Sequence, residues 1–470
     1  MPQESGRMDR RGFLKGAAAG LGAVAAAQSV GAAGEKPASG PAEEDKDKDK
    51  SKELIWRSKV PTMEYRRLGR TNYMVSGIVA GIGGEPALWR RMLANGMNYF
   101  DTAWGYANGN HERELGPFFK ANRDKLWITS KATGVAGFDK VDEGVAKLYR
   151  KAMKDFIGAD QGNLLELHHK AVEKQKATGE KPDLRPAGKR IADLYSSRID
   201  ESLGKMGVDH VDAYFMHGVE IPWMFDCLEV WEAYEKAHQA GKAKHFGISI
   251  HGSQKDVLAA AIEANKRGPW KIDVVMPRVN PESFDSVKPE LAALKQQDVG
   301  IIAMKTKGIA NRPVDGREKK FESLAHGKSY NEWERAKLWM LHLTEGLIDA
   351  CIAAMSSNEE MTKDLALPSV KLSAAARREL RAIVKYEMAG VCHLCGVCDT
   401  SCPENIAVSD MIRYHAYIHQ YNDKELARQL YALAGYDPAR VCTNCGLCMD
   451  ACPGGVPITQ YLQALPRDLA

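Results

Sequence analysis

The sequence lacks long hydrophobic runs, a strong excess of either charge and, over most of its length, cysteine. Outside the N-terminal region, no stretch holds the roughly eighteen apolar residues that a membrane-spanning helix needs. The formal net charge is only +4 over 470 residues, and no basic stripe interleaves with aromatic side chains. Nucleic acid is therefore not expected as a partner. Only Cys227 and Cys351 precede residue 390, in apolar surroundings typical of small buried hydrophobes.

The N-terminus carries the paired Arg10 and Arg11, then Phe13 and Leu14, then a weakly apolar run rich in glycine and alanine. Residues 1–30 therefore resemble a twin-arginine export signal, and small residues at 25–27 offer a cleavage site. A chance basic start on a disordered tail is the alternative. The resemblance implies an exported, periplasmic protein that uses the twin-arginine translocation machinery. It would contact the membrane only through an uncleaved signal.

Residues 31–60 contain an alternation of acidic residues with lysine and no periodic apolar face. Such a segment cannot bury enough surface to fold, so we predict a charged, disordered linker. We expect the folded protein to begin near Met63.

Eight short apolar runs then alternate with amphipathic stretches across residues 61–370. This alternation predicts an α/β fold, a parallel sheet closed into a (β/α)₈ TIM barrel. The connection between Lys131 and His217 is far longer than a crossover needs, so residues 132–190 are predicted to form an insertion on the catalytic face. His168 and His169 lie within it. A surface role is expected for them rather than a metal site, because adjacent helical residues point in different directions.

The cysteines cluster near the C-terminus in two copies of the motif C-x₂-C-x₂-C-x₃-C-P, which binds a [4Fe–4S] cluster through thiolates. Residues 371–470 therefore resemble a small, mostly helical ferredoxin with two [4Fe–4S] clusters. In such pairs the fourth cysteine usually ligates the other cluster. This predicts one cluster on Cys392, Cys395, Cys398 and Cys452, and the other on Cys442, Cys445, Cys448 and Cys402. The alternative is that the cysteines form disulfides or zinc sites.

Residues 63–367 resemble the aldo-keto reductase superfamily through five motifs: YRRLGRT, DTAWGY, ERELG, ITSK and DAYFMHG. The resemblance implies a catalytic tetrad at the ends of successive strands, consisting of Asp101, Tyr106, Lys131 and His217. Tyr106 would protonate a carbonyl oxygen, and an ammonium beside it would favour the phenolate that results. Asp101 would hold Lys131 charged, and His217 would orient the carbonyl. Taken singly, Asp101 with Lys131 could be a structural ion pair and His217 a core histidine.

The same resemblance implies an NAD(P) site, but several of its usual ligands are replaced. Ser249 is retained, whereas apolar residues stand at the family's Asn, Gln and Tyr positions, namely Ile250, Met276 and Val279. After the seventh strand, Lys305 or Lys307 could meet phosphate, although a solvated loop is the alternative.

After the eighth strand, Ser356, Ser357 and Asn358 are candidate cofactor contacts. The next two residues, Glu359 and Glu360, are acidic, whereas an NADP-binding member of the family would normally have Arg or Lys there. Lys363 is the basic residue of this loop, so the sequence does not predict a preference for NADP.

These features predict an exported iron–sulfur oxidoreductase that interconverts a small carbonyl and an alcohol and exchanges electrons with a redox partner protein or another electron donor. The alternative function is an electron-transfer or complex subunit whose barrel has lost its nicotinamide-dependent activity. A third reading is that the clusters only stabilise their domain.

Overall fold

The computed structural model describes residues 53–134, 143–158, 164–251, 254–307, 317–388, 390, 392, 396–419 and 424–469. The predicted export signal, most of the linker and Cys395 lie outside these residues. Within the described part of the chain, no helix is long and apolar enough to cross a membrane.

The folded domain begins before the expected boundary at residue 61. Ile55 forms a parallel bridge with Tyr73, and Arg57 pairs with the buried Asp212 at 2.6 Å. Residues 54–60 therefore lie against the folded domain instead of belonging to a solvated linker. The backbone of Ile55, the guanidinium of Arg57 and the side chain of Val60 find partners there, while the side chains of Leu54, Ile55 and Trp56 stay exposed. An antiparallel hairpin follows, formed by β1 (Tyr65–Arg67) and β2 (Met74–Ser76).

Eight parallel strands form a closed barrel, which confirms the predicted fold. They are β3 (Ile78–Ala80), β4 (Tyr99–Asp101), β5 (Trp127–Ala132), β6 (Val211–Met216), β7 (Ala243–Ile250), β8 (Val274–Pro277), β9 (Gly300–Ala303) and β10 (Ala350–Ala353), with β10 pairing β3. Large side chains such as Tyr99, Trp127 and Phe215 fill the interior, as a barrel without a pore requires. Gly247 makes room for them, because a Cβ there would lie 2.1 Å from the Phe215 ring.

Helices surround the strands and bury their apolar faces against them. The helices described in this part of the chain are α1 (Pro86–Ala94), α2 (His111–Asn122), α3 (Glu143–Ile157), α4 (Leu164–Thr178), α5 (Arg185–Met206), α6 (Leu228–Gln239), α7 (Gln254–Arg267), α8 (Phe284–Gln296), α9 (Arg317–Leu324), α10 (Glu332–His342) and α11 (Asn358–Ala366).

The long connection after β5 holds α3, α4 and α5. Residues of α3 and α4 pack in one apolar cluster with Ile221 and Trp223, which follow the carboxyl end of β6. This contact places the insertion beside the face of the barrel at which the strands end. The expectation of a surface role is wrong for His168, which is only 6% exposed and packs edge-on against Trp223 at 5.2 Å. His169 is exposed.

The C-terminal region is helical. Its helices are α12 (Ala374–Met388), α13 (Val397–Thr400), α14 (Val408–His419), α15 (Lys424–Ala434), α16 (Pro438–Val441), α17 (Leu447–Asp450) and α18 (Ile458–Leu469). A separate small core joins α14, α15 and α18 through side chains such as Met411, Ala427 and Leu462. The linking helix α12 is fastened to α10 by the buried ion pair of Glu387 with Arg335, whose Nε donates at 3.0 Å.

Candidate active site and cysteine-lined cavities

Asp101 is the last residue of β4 and Lys131 the last but one of β5, and the two side chains meet inside the barrel mouth. Lys131 Nζ donates to Asp101 Oδ2 at 2.5 Å and to the carbonyl oxygen of Thr102 at 2.8 Å. Both side chains are 1% exposed. The second carboxylate oxygen, Oδ1, has no hydrogen-bond partner among the described residues. Buried titratable groups with strongly perturbed pKa values in a cleft are candidates for a functional site.

Tyr106 follows β4 on a short 3₁₀ turn, Tyr106–Gly109, in which Ala107 and Asn108 have positive φ angles of 50° and 54°. Such left-handed backbone is costly for residues other than glycine and concentrates at functional sites. The turn brings the Tyr106 hydroxyl to 3.4 Å from Lys131 Nζ, which also lies 4.8 Å from the centre of the phenol ring.

The pKa values of this cluster follow from burial and charge together. Burial raises the pKa of Tyr106 above its ordinary value, although Lys131 pulls it down in part. Burial opposes the charge on Lys131, but the attraction of Asp101 and Tyr106 outweighs it and raises the pKa of the ammonium. Tyr106 is therefore a phenol at neutral pH, and Lys131 acts on its pKa in the predicted direction, by favouring the phenolate that remains when the proton leaves.

His217 follows β6 and faces the phenol, with ring centres 5.6 Å apart and nearly perpendicular. Burial, and then the charge of Lys131, lower its pKa well below 6.5, so the ring is neutral. Its Nδ1 lies 2.8 Å from Thr133 Oγ1, which also accepts a bond from the backbone N–H of Gly105 at 3.3 Å. We therefore assign the Thr133 hydroxyl hydrogen to His217 Nδ1, which leaves the proton on Nε2.

Two further histidines border this site. His111 Nδ1 is 2.9 Å from Thr102 Oγ1, and burial and then Lys131 lower its pKa to about 4. His251 lies 5.7 Å from His217 between ring centres, and burial, Lys305 and Arg278 lower its pKa to about 3. Sequence reasoning missed Thr133 and His111, because neither belongs to a motif and only the closed barrel brings them to the tetrad.

The expected nicotinamide contacts are only partly arranged for that role. Ser249 is 1% exposed and its Oγ accepts the backbone N–H of Gly218 at 2.9 Å, so its hydroxyl proton is available to another acceptor. Ile250, Met276 and Val279 are buried apolar residues. They offer no side-chain hydrogen bond to an amide.

The two lysines after β9 have different surroundings. Lys307 is 7% exposed, pairs with Glu332 at 3.0 Å and lies over the Trp333 ring. Lys305 is exposed to water and has a positive φ of 54°. Although its side chain keeps contact with water, partial desolvation by the surrounding protein, followed by the charges of Arg278 and Arg413, lowers its pKa to about 8. Of the two, Lys305 is the cation placed to meet an anion.

The loop after β10 caps α11 with its own side chains. Ser357 Oγ accepts the backbone N–H of Glu360 at 3.2 Å, and Ser356 donates to Glu360 Oε2 at 2.8 Å from both N and Oγ. Asn358 is the first residue of the helix, and its carbonyl accepts from Thr362. Lys363 pairs with Glu359 at 2.8 Å. A carboxylate already occupies this helix start, which is unfavourable for an added phosphate.

The cysteines surround two cavities, each lined by both motifs. Cys402 of the first motif lines one cavity together with Cys442, Cys445 and Cys448. Cys392, Cys398 and, from the second motif, Cys452 line the other. Sulfur ligands converging on cavities walled by Ile406, Ile412 and Ile458 fit iron–sulfur clusters. Cys227 and Cys351 are buried elsewhere.

A residue that lines one of the cavities is adjacent in sequence to a residue that lowers the pKa of Lys305 at the barrel mouth. Ile412 lines the cavity with Cys392, and the next residue, Arg413, lowers the pKa of Lys305. The guanidinium of Arg413 also binds Asp410 at 2.7 Å, while its Nε is buried with no partner among the described residues. Two adjacent residues of helix α14 therefore line a cysteine cavity and act on Lys305 at the barrel mouth.

Comparison with known families gives two matches along the chain. A model of the aldo/keto reductase family matches residues 86–337, which is more than half of the chain. A model of the 4Fe-4S dicluster domain matches residues 391–457, which include all eight clustered cysteines.

Two curated proteins are similar over part of their length. The uncharacterized oxidoreductase YrpG of Bacillus subtilis (strain 168) is 27% identical over 225 residues, which are 44% of this chain and 54% of that protein. Morphine 6-dehydrogenase of Pseudomonas putida is 31% identical over 122 residues, which are 25% of this chain and 36% of that protein. The chain thus spans about half of the first relative and about a third of the second.

Two solved structures also align with the chain. The thermostable aldo-keto reductase Tm1743, in complex with the inhibitor epalrestat, is 17% identical with a TM-score of 0.47, covering 68% of this chain and 100% of its own. The holo form of aldo-keto reductase AKR11C1 from Bacillus halodurans is 18% identical with a TM-score of 0.46, covering 68% and 96%.

Proposed function

Because the chain belongs to the aldo/keto reductase family and also carries a 4Fe-4S dicluster domain, we propose that it is an oxidoreductase that interconverts a small carbonyl and an alcohol with Tyr106 as proton donor. The observation that carries this proposal is the buried chain of contacts from Asp101 through Lys131 to the Tyr106 hydroxyl, at 2.5 and 3.4 Å.

The proton side of the reaction uses the tetrad. Tyr106 rests as a phenol, and in reduction its proton passes to the carbonyl oxygen. The phenolate left behind is stabilised by the ammonium of Lys131, which Asp101 keeps charged, and takes a new proton from solvent. His217 donates from Nε2 to the same carbonyl oxygen and orients it, since the Thr133 hydroxyl occupies Nδ1.

A nicotinamide dinucleotide bound at the mouth would supply the hydride to the carbonyl carbon, so that hydride and proton together complete the two-electron reduction. Lys305 would hold a phosphate, and Ser249 would donate its hydroxyl proton to the amide. Ser356 and Asn358 stand at the adenosine end. Glu360 engages Ser356 there and would repel a 2′-phosphate, so we expect NADH to bind more tightly than NADPH.

We further propose two [4Fe–4S] clusters, one on Cys392, Cys395, Cys398 and Cys452 and the other on Cys442, Cys445, Cys448 and Cys402. Clusters of this kind would exchange single electrons with a redox partner protein. The first would be the nearer to the active site, because Ile412 lines its cavity and Arg413 acts on Lys305.

The proposed compartment is the periplasm, reached by the twin-arginine translocation machinery with residues 1–30 as the signal. The support is the Arg10–Arg11 pair and the weakly apolar run that follows it. A cofactor-containing enzyme there would carry its nucleotide out already bound, and the clusters would give it a route for electrons.

The second candidate function is an electron-transfer or complex subunit whose barrel binds a partner and no longer reduces carbonyls. The specific observation in its favour is the burial of Ile250, Met276 and Val279 where hydrogen-bonding and stacking side chains would hold a nicotinamide ring.

Anaerobic titration of the cluster-containing protein with NADH and NADPH, followed by nicotinamide fluorescence and cluster absorbance, separates the two functions. Binding of NADH with carbonyl reduction in a panel of small aldehydes and ketones supports the reductase, whereas binding of neither nucleotide supports the subunit. Tyr106→Phe should abolish carbonyl reduction with cluster content unchanged. Tyr330→Phe is the matched control, because the Tyr330 hydroxyl is buried and has no hydrogen-bond partner among the described residues.

A further inference from the structure

The helices that follow the two cysteine motifs, α14 and α18, bring together three metal-ligating side chains. His415 and His419 lie one turn apart on α14, and Asp468 lies near the end of α18. One ligand atom from each residue lies within 4.8 Å of those of the other two. We propose that this trio binds a divalent transition-metal ion of the zinc class, separate from the iron–sulfur clusters.

The three ligand atoms are within reach of a common ion. Bond lengths of about 2.1 Å in a tetrahedral arrangement place ligand atoms roughly 3.4 Å apart. The three atoms here all lie within 4.8 Å of one another, and His419 is exposed, so side-chain rotation can bring them to that spacing. His419 Nε2 already lies 2.8 Å from Asp468 Oδ2. An ion would replace the proton that these two atoms share.

Neighbouring side chains orient the ligands. The Tyr461 ring stacks on His415, with centres 4.0 Å apart and planes inclined by 14°, and the two imidazoles are 4.2 Å apart. Arg467 Nε lies 3.7 Å from Asp468 Oδ1, the oxygen that does not face His419. The stacked Tyr461 ring holds the His415 imidazole in position, and the long ion pair with Arg467 leaves Oδ2 of Asp468 directed at His419.

The donor set selects the class of ion. Two imidazoles and one carboxylate suit zinc, nickel or copper better than calcium or magnesium, which prefer oxygen ligands alone. The trio is partly exposed, so water can complete the coordination. None of the three residues lines either cysteine cavity. A bound ion would link the helix after the first motif to the helix after the second.

The test uses the full chain without a polyhistidine tag, with its clusters intact, dialysed anaerobically against EDTA and then titrated with Zn²⁺ by calorimetry. The expected result is one saturable zinc site per chain, weakened at least tenfold in both His415→Gln and Asp468→Asn. His169→Gln, which changes an exposed histidine on α4, should bind zinc like the unaltered chain.

Iron content and X-ray absorption at the zinc edge keep the result interpretable. We expect unchanged iron and a zinc shell of nitrogen and oxygen without sulfur. Equal zinc affinity in the two site variants and in His169→Gln would overturn the proposal, as would no saturable binding, or zinc uptake that occurs only with loss of iron. Each variant's cluster content, measured before titration, shows whether it has folded.

Discussion

Lys131 Nζ lies 2.5 Å from Asp101 Oδ2, and neither side chain is more than 1% exposed. The carboxylate stabilises an ammonium that would otherwise be costly in this dry site, and the ammonium in turn is within reach of the Tyr106 hydroxyl at 3.4 Å. The pair therefore carries both a structural and a chemical role, which a suitable set of variants can separate.

The double variant Asp101→Asn/Lys131→Met removes both charges together. We expect carbonyl reduction to fall by about 10²-fold or more, because no cation then stabilises the Tyr106 phenolate. The single change Lys131→Met leaves an unpaired buried carboxylate and should lose about 3–5 kcal/mol of unfolding free energy, whereas the double variant should lose less. Urea unfolding and single-turnover kinetics measure the two effects. An active double variant would remove the tetrad from the mechanism.

Thr133→Val tests the positioning of His217. Without the hydroxyl at 2.8 Å from Nδ1, the imidazole can place its proton on Nδ1 and no longer donate from Nε2. The loss of one hydrogen bond worth about 0.5–1.5 kcal/mol predicts a fall of roughly 2- to 10-fold in kcat with little change in KM. Thr133→Ser should restore the rate. If serine and valine behave alike, the hydroxyl has no part in orienting the histidine.

The lowered pKa of Lys305 predicts how nucleotide binding depends on pH. Since its pKa is lowered to about 8, the side chain is charged at neutral pH and loses its charge as pH rises through about 8. The affinity for NADH should therefore decline as pH rises through this range. In Lys305→Arg the affinity should depend little on pH, because guanidinium stays protonated. Fluorescence titration over a pH series gives the measurement. A flat profile in the unaltered protein would mean that Lys305 does not contact the phosphates.

Gly247→Ala tests the packing of the barrel interior. The new Cβ would lie 2.1 Å from the Phe215 ring, so either ring or strand must shift, at a cost of about 1–3 kcal/mol of unfolding free energy. Gly204→Ala is the matched control. It lies in helix α5 with no atom within 4 Å of the added Cβ, and should stabilise by about 0.5–1 kcal/mol. Equal unfolding midpoints for the two variants would contradict this account of the core.

Cysteine substitutions test the shared ligand sets. Cys402→Ser should impair the cluster proposed on Cys442, Cys445 and Cys448, although Cys402 belongs to the other motif, and Cys452→Ser should impair the cluster proposed on Cys392 and Cys398. Iron analysis with electron paramagnetic resonance distinguishes the two clusters. Cys351→Ser, a buried barrel cysteine, should leave both signals unchanged. If each change impairs its own motif's cluster instead, the crossed assignment is wrong.

Much of the fold follows from local pattern. Alternating apolar runs predict the eight barrel strands, because a buried parallel strand must be apolar on both faces, and the structure confirms them. The start of the folded chain was less accessible to sequence reasoning. From the sequence, Arg57 is interpreted as part of the linker, because its partner Asp212 lies 155 residues away along the chain. The surface role expected for His168 is wrong for a similar reason, because Trp223, which covers its ring, is distant in sequence and reaches it only in the folded chain.

The residue types at the strand ends and the cysteine spacing can be read from the sequence alone, because strand period and ligand spacing are local properties of the chain. Which side chains meet depends on the folded chain. Barrel closure brings Thr133 to His217, separates Lys305 from the engaged Lys307, and sets the balance in which burial outweighs Lys131 and keeps Tyr106 a phenol. Desolvation and contacts between distant segments depend on the whole fold, so no local pattern could have specified them.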